Sequence, residues 1–250
     1  KLIIYSINCF ITNFKNIQFC NEHMAIQECD VQVLAKNCLT KDVVELSFSL
    51  PESFEYQAGQ FVMLRMKNAD IYKFKSYSVL SPPSQKGRMD LCVKIIDGGF
   101  ASEAFKVLDV GQTLTMRGPF GQFTFKDKAQ EAWFIGTGTG VTPFYSMLKE
   151  YHPKSEKKFR LIFGVRKKED LFYHQEFQEM EKTYPTFKYW PTLSQEEWGG
   201  YSGRVQKHLG EDLQNKDFYI CGLKEMVVET QEYLLKRGVG PEHIHFERYS

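Results

Sequence analysis

At 250 residues and 42% apolar composition, the chain has room for one large domain or two of ordinary size, each with a real core. Its 32 Lys and Arg against 31 Asp and Glu leave a net charge of +1, so bulk electrostatics favours neither nucleic acid nor a membrane as partner. The six cysteines, Cys9, Cys20, Cys29, Cys38, Cys92 and Cys221, form no C-x-x-C pair and no zinc or iron–sulfur spacing, which reads as free thiols in a reducing, cytoplasmic setting.

The first stretch in chain order, "KLIIYSINCFIT", is too short to span a bilayer. It also lacks the basic segment and small-residue cleavage site of a signal peptide. Residues 1–26 are expected to be an appendage of unknown role, with an extra strand as the alternative. From about 27 the pattern becomes strand-like. The stretches "DVQVLAKN", "DVVELSFSL", "GQFVMLRM", "SYSVLS", "MDLCVKII" and "GQTLTMRGPFGQFTF" alternate or run apolar between Gly, Pro and Asn. Short strands at this spacing predict an antiparallel β-barrel domain over 27–126. One helix, in "GGFASEAFKVL", is expected from about 100 to 108.

Beyond the charged stretch "KDKAQE" the period changes. Strands "AWFIG", "FRLIFG", "TFKYW", "DFYIC" and "HIHFE" alternate with helices over 141–151, in "EDLFYHQEFQEMEK", near "RVQKHL" and in "KEMVVETQEYLLKR". That alternation predicts a second domain over 127–250, an α/β fold whose parallel sheet carries helices on both faces. His243 and His245 fall two residues apart on the last strand, with no third ligand nearby. They read as ordinary strand residues, and no metal site is expected.

Ligands of open α/β sheets sit beyond the carboxyl ends of the strands. "GTGTGVTP", from Gly136 through Thr137, Gly138, Thr139 and Gly140 to Pro143, stands at such an end. Its glycines are expected to let backbone approach a ligand, and the helix that follows offers unpaired N–H groups to phosphate. It is neither usual fingerprint. G-x-G-x-x-G would need glycine where Val141 stands, and a P-loop would need Gly-Lys-Ser/Thr. A tight turn without function is the alternative.

Taken together, these stretches resemble the ferredoxin–NADP reductase superfamily in motif order over nearly all of residues 27–250. The resemblance implies a flavin-binding barrel followed by a pyridine-nucleotide domain. Its Arg-x-Tyr-Ser barrel motif falls on Lys75, Ser76, Tyr77 and Ser78, with Lys in place of Arg. Tyr77 is then implied to stack on the flavin ring, Ser78 to bond near its N5, and the cation to meet the phosphates. Lys offers a point charge rather than a planar fork, which weakens that last contact. The next motif, in "CVKIIDGGFAS", falls on Val93, Lys94, Gly98, Gly99 and Ser102 and favours FAD over FMN. A simple hairpin turn is the other reading of Gly98 and Gly99. In the nucleotide domain the resemblance places Thr142 near flavin and nicotinamide. It also places Cys221, followed by Gly222, beside the nicotinamide, where the plain alternative is a small buried hydrophobe. Glu247 and Tyr249 fit the family's terminal Glu-x-Tyr, with Tyr249 implied to cover the flavin.

The resemblance implies an enzyme that passes hydride from NADH or NADPH to FAD and then electrons to a one-electron carrier protein. The carrier would be a ferredoxin, a flavodoxin or an oxygenase component. Ser194, Arg166, Lys167, Lys168 and Arg204 are plausible neighbours of the nucleotide ribose. The acids of "TLSQEE" would repel a 2′-phosphate and so favour NADH. A non-catalytic relay subunit, a flavin-binding sensor and a soluble flavin reductase are the competing readings. Relatives ending in Glu-Arg-Phe continue into an iron–sulfur domain, so either the acceptor is separate or the chain is a piece of a longer one.

Overall fold

The computed structural model describes residues 25–249, so residues 1–24 of the expected appendage, with Cys9 and Cys20, lie outside the described residues. Six strands make the first sheet: β1 (Gln27–Cys38), β2 (Val43–Ser49), β3 (Phe61–Asn68), β4 (Ile71–Ser78), β5 (Arg88–Lys94) and β6 (Thr113–Phe120). They pair antiparallel in the order β4-β3-β6-β1-β2-β5. A bridge between Val79 and Leu91 brings the outermost strands together, so the sheet curls into a barrel. The period-two pattern does the sorting. Val62, Leu64 and Met66 of β3 turn inward and are buried, while Arg65 and Lys67 face out.

Helix α1 (Phe100–Lys106) packs against β3 and sends Ala104 and Phe105 into the barrel core. Its carboxyl end is held by a cation. Lys36 Nζ donates to the carbonyls of Phe105 (2.8 Å), Lys106 (3.2 Å) and Leu108 (3.0 Å). Phe105 and Lys106 stand in the last turn, whose carbonyls lack the usual i+4 partner, and Leu108 lies just beyond it; a positive charge there also suits the helix dipole. Lys36→Met is expected to lower stability by about 1–2 kcal/mol, a fall of a few degrees in unfolding temperature for a chain of this size. An unchanged melting curve would show that the three contacts contribute nothing net.

The second sheet is parallel: β7 (Glu131–Thr137), β8 (Lys158–Val165), β9 (Phe187–Leu193), β10 (Tyr201–Ser202), β11 (Lys216–Leu223) and β12 (Ile244–Tyr249), in the order β10-β9-β8-β7-β11-β12. Helices α2 (Thr142–Tyr151) and α3 (His174–Thr183) bury Phe144, Met147, Phe177 and Met180 against one face of the sheet. Helix α4 (Lys224–Lys236) buries Val227 and Leu234 with Trp133, Ile135, Ile162 and Ile220 on the other. Strand order reverses between β7 and β11, which opens a crevice at their carboxyl ends.

The two halves share one apolar core, in which Val43, Ala58, Leu80 and Cys92 of the barrel join Phe134, Phe144 and Met147. Ser146 Oγ donates to the Ser81 carbonyl (2.8 Å), and the Tyr173 hydroxyl donates to Glu45 (2.5 Å) across the same seam.

Several elements differ from the sequence reading. The strand expected at "SYSVLS" runs earlier, over Ile71–Ser78, and α1 ends at Lys106 rather than 108. "RVQKHL" makes only a one-turn 3-10 helix, Val205–His208. "EDLFYHQEFQEMEK" divides into a 3-10 turn, Lys168–Asp170, and α3, because Tyr173 between them takes φ +55°. His243 ends a 3-10 turn, Pro241–His243, and is not part of β12.

Candidate active site

The carboxyl ends of β7 and β11 lie side by side, with Gly136 opposite Cys221. The glycines of "GTGTGVTP" do different work there. A Cβ on Gly140 would sit 2.3 Å from the Cys221 carbonyl oxygen, and one on Gly136 would crowd the Phe144 ring at 3.1 Å. Those two glycines are needed for close packing of the protein on itself. Gly138 is different, with φ +54° and open space around it. The turn winds into a 3-10 helix, Gly138–Val141, that leads directly into α2. Gly222 completes the crevice at φ +146°, where any Cβ would strike the Thr137 hydroxyl at 2.5 Å.

The barrel contributes β4, an edge strand paired on one side with β3. Neighbouring residues of a strand leave it on opposite faces. Tyr77 takes the face of Val62 and packs edge-on against Phe105 at 5.3 Å, with Lys73 over Phe100 on the same side. Ser78 takes the other face and meets Tyr249, the two hydroxyls 2.7 Å apart across 171 residues of chain. Lys75 and Ser76 stand exposed between them.

Around that hydroxyl pair the titratable groups are all shifted toward their neutral forms. Burial pushes the Glu247 carboxyl up to about 7, with the neighbouring Ser78 hydroxyl opposing the shift. The Cys221 thiol is fully buried and held well above its ordinary value, by burial first and the nearby Glu247 charge second. It is therefore a thiol and not a thiolate, a compact polarisable wall with no nucleophile to offer. Tyr249 as a residue is half-buried, but its hydroxyl is enclosed and also raised, by burial first.

A groove of about 580 Å³ opens from this cluster along the sheet end, bordered by Thr137, Gly138, Gly222 and Tyr249, then by Arg166 and Ser194. Arg166 and Ser194 are exposed there. Arg204 also borders the groove, but its guanidinium is taken by Glu229, with N–O distances of 3.0 and 2.9 Å. Glu196 is turned away to accept the Lys168 N–H at 2.9 Å. A shallower hollow of about 260 Å³ lies at the opposite, amino-terminal end of the strands, around Arg160 between Trp133 and Trp190. None of the groups just described reaches it.

Other expected binding residues have commitments of their own. Val93 is buried in the barrel core, so its side chain is unavailable to a ligand. Lys94 is paired with Asp42 at 2.6 Å, in the turn just before the neighbouring strand β2. Ser102 Oγ accepts the Ile96 N–H at 2.9 Å and keeps only its own hydrogen to offer. Gly98, at φ +71°, has open space where a Cβ would be, and Gly99 caps α1. Glu45, Tyr173 and Asp42 at the seam carried no signal in the sequence, since each acquires its partner only through the fold.

These residues fit a flavin dinucleotide and a nicotinamide nucleotide. The Thr137 and Thr142 hydroxyls are buried at the crevice without an oxygen or nitrogen partner, and Thr142 has only the Cys92 thiol beside it. Orphaned buried hydroxyls of this kind are costly unless something else pairs with them.

Comparison with known proteins gives the same division of labour. An oxidoreductase FAD-binding domain matches residues 30–125, and an oxidoreductase NAD-binding domain matches residues 134–232. Ferredoxin--NADP reductase B of Sorangium cellulosum is 33% identical over 237 residues, which cover 88% of this chain and 97% of that protein. The phenol hydroxylase P5 protein of Acinetobacter pittii is 26% identical over 235 residues, 90% of this chain but 66% of the longer relative. In fold, a ferredoxin NADP+ reductase from Neisseria gonorrhoeae with bound FAD and NADP superposes with a TM-score of 0.80 at 22% identity, over 88% of this chain and 98% of that one. With a barrel and a parallel sheet meeting at Ser78, Cys221 and Tyr249, the chain belongs to the ferredoxin–NADP reductase superfamily, as an FAD-dependent NAD(P)H oxidoreductase of electron transfer.

Proposed function

We propose that hydride transfer takes place in the crevice where Ser78 of the barrel meets Tyr249, Glu247 and Cys221 of the nucleotide half. We further propose that residues 27–126 and 127–250 act as the two domains. The 2.7 Å contact between Ser78 and Tyr249 carries this reading, because it joins a hydroxyl of each half beside Glu247 and Cys221. When bound, FAD supplies the redox chemistry, taking a hydride from the nicotinamide and releasing electrons to an acceptor. The protein's share is positioning and electrostatics. Lys75, Ser76 and Tyr77 hold the flavin along β4, and Gly98, Gly99 and Ser102 receive its pyrophosphate. Thr137, Gly138, Thr139, Arg166 and Ser194 hold the nucleotide, with Cys221 and Gly222 against the nicotinamide. Tyr249 keeps water from the crevice, and the Glu247 carboxyl holds a proton beside it below about pH 7.

The nucleotide is NADH or NADPH. The commitment of Arg204 to Glu229 removes one cation from a 2′-phosphate and supports NADH. The acceptor is a one-electron carrier protein: a ferredoxin, a flavodoxin or an oxygenase component. Exposed Lys73 and Lys75 on β4 would steer an acidic carrier toward the flavin. Anaerobic mixing with NADH and with NADPH, followed by turnover with each carrier across a salt series, tests the assignment. Bleaching of the flavin bands and carrier turnover that falls as salt rises are the expected results. A preference for free flavin, with no salt dependence, would make the protein a flavin reductase instead. Among the described residues, no helix is long and apolar enough to cross a membrane.

A further inference from the structure

We propose that Tyr219 and Asp217 are positioning residues, which fasten the segment joining the two sheets onto β11 and so set how the barrel presents Ser78 to Cys221 and Tyr249. This rests on the reading of the crevice given above.

The joining segment leaves β6 at Phe120 and enters β7 at Glu131. Two of its backbone amides are taken by β11 side chains. The Tyr219 hydroxyl accepts the Lys126 N–H at 2.9 Å, and an Asp217 carboxylate oxygen accepts the Ala129 N–H at 2.9 Å. Both anchors are enclosed, Tyr219 fully and the Asp217 side chain with 3% of its surface open. The Tyr219 ring also packs on the segment itself, 6.2 Å from the Phe123 ring and 5.7 Å from that of Phe125. The two histidines without an assigned role support these anchors. His245 stacks on Tyr219 at 4.7 Å, and His243 Nδ1 lies 2.8 Å from the second Asp217 oxygen.

The barrel grips the same segment from its own side. Gly59 takes φ +99°, and a Cβ there would lie 2.1 Å from the Phe123 carbonyl oxygen. The segment is thus held by both halves at once. The β11 anchors are in register with the chemistry, since Asp217, Tyr219 and Cys221 alternate along one face of a single strand. A displacement of about 1 Å between groups that must meet costs a transfer reaction heavily. An anchor that ties the joint to the strand carrying Cys221 limits that displacement.

Tyr219→Phe removes the acceptor and keeps the ring. In flavin-loaded protein the Lys126 amide is expected to exchange its hydrogen at least about tenfold faster, and the rate of flavin reduction at saturating NAD(P)H to fall about fivefold or more, with bound FAD unchanged. Asp217→Ala should act likewise at the Ala129 amide, and Asp217→Asn, which keeps an acceptor oxygen, should restore most of the rate. If Lys126 exchange accelerates while the saturated rate stays at the wild-type value, the anchors serve stability alone and the proposal fails. It fails equally if Lys126 exchange is unaltered. Should Tyr219→Phe not fold, the Asp217 pair decides alone: equal rates in Ala and Asn variants overturn it. Failure of the crevice reading shows separately, as wild-type rates in Ser78→Ala and Cys221→Ala.

Discussion

Ser78→Ala and Cys221→Ala are each expected to slow flavin reduction at saturating NAD(P)H by about tenfold or more, close to 1.4 kcal/mol of barrier per decade. Neither change is expected to cost much of the fold. Ser78→Ala leaves the enclosed Tyr249 hydroxyl without its 2.7 Å partner, and Cys221→Ala leaves a small void in a fully buried site. Each defect is worth about 1–2 kcal/mol, a few degrees of unfolding temperature in a protein of this size. The kinetic effect should therefore exceed the thermal one by far. Because the Cys221 thiol stays protonated, its contribution is shape and contact, not nucleophilicity. Cys221→Ser, which preserves size, should retain more rate than the alanine variant. Stopped-flow reduction of each flavin-loaded variant makes the measurement, and wild-type rates would remove both residues from the site.

What the sequence disclosed and what it hid follow from how far each signal reaches. β3, with Val62, Leu64 and Met66 in strict alternation, is legible because one buried face imposes period two. β4 is poorly legible because its first residues, Ile71, Tyr72 and Lys73, are all exposed on an edge strand, so no buried face stamps a pattern on them. The turn before it compounds the difficulty. Asn68 pairs with Ile71, so the hairpin closes on Ala69 and Asp70, and Ala69 takes φ +51° where glycine or asparagine is the usual marker. The two-residue β10 is too short to carry any period.

The site divides the same way. Gly138 and Gly140 look alike in "GTGTGVTP", yet one faces open space and the other lies against the Cys221 backbone. That difference is set by β11, eighty residues further along the chain, and no local pattern encodes it. Lys94 and Arg204 read as free cations until the fold supplies Asp42 and Glu229. Resemblance to a family placed Ser78 and Tyr249 each at the flavin, but their direct contact came into view only with the fold, since nothing in either stretch specifies the other.

Glu247 is the group whose behaviour the fold alters most visibly with pH. Its carboxyl titrates near 4.5 when exposed and is pushed up to about 7 in the folded protein by burial. Between those two values the folded chain holds a proton that the unfolded chain has released. Stability must then fall as pH rises through this window, by about 3 kcal/mol at most, and level off above it. Glu247→Gln keeps the shape without the titration. The unaltered protein should lose several degrees of unfolding temperature between about pH 5 and pH 8 that the variant does not lose. The rate should carry the same signature. Hydride transfer would shift negative charge from the nicotinamide onto the flavin, and a carboxylate formed above pH 7 beside Ser78, on the flavin side, opposes that shift, next to a thiol and a phenol that stay neutral. Reduction by NAD(P)H is therefore expected to slow as pH rises through about 7 in the unaltered protein and to stay flat in Glu247→Gln. Matching pH profiles for the two proteins, in melting and in rate, would show that the carboxyl is solvated and ionised throughout, and that burial does not hold its proton.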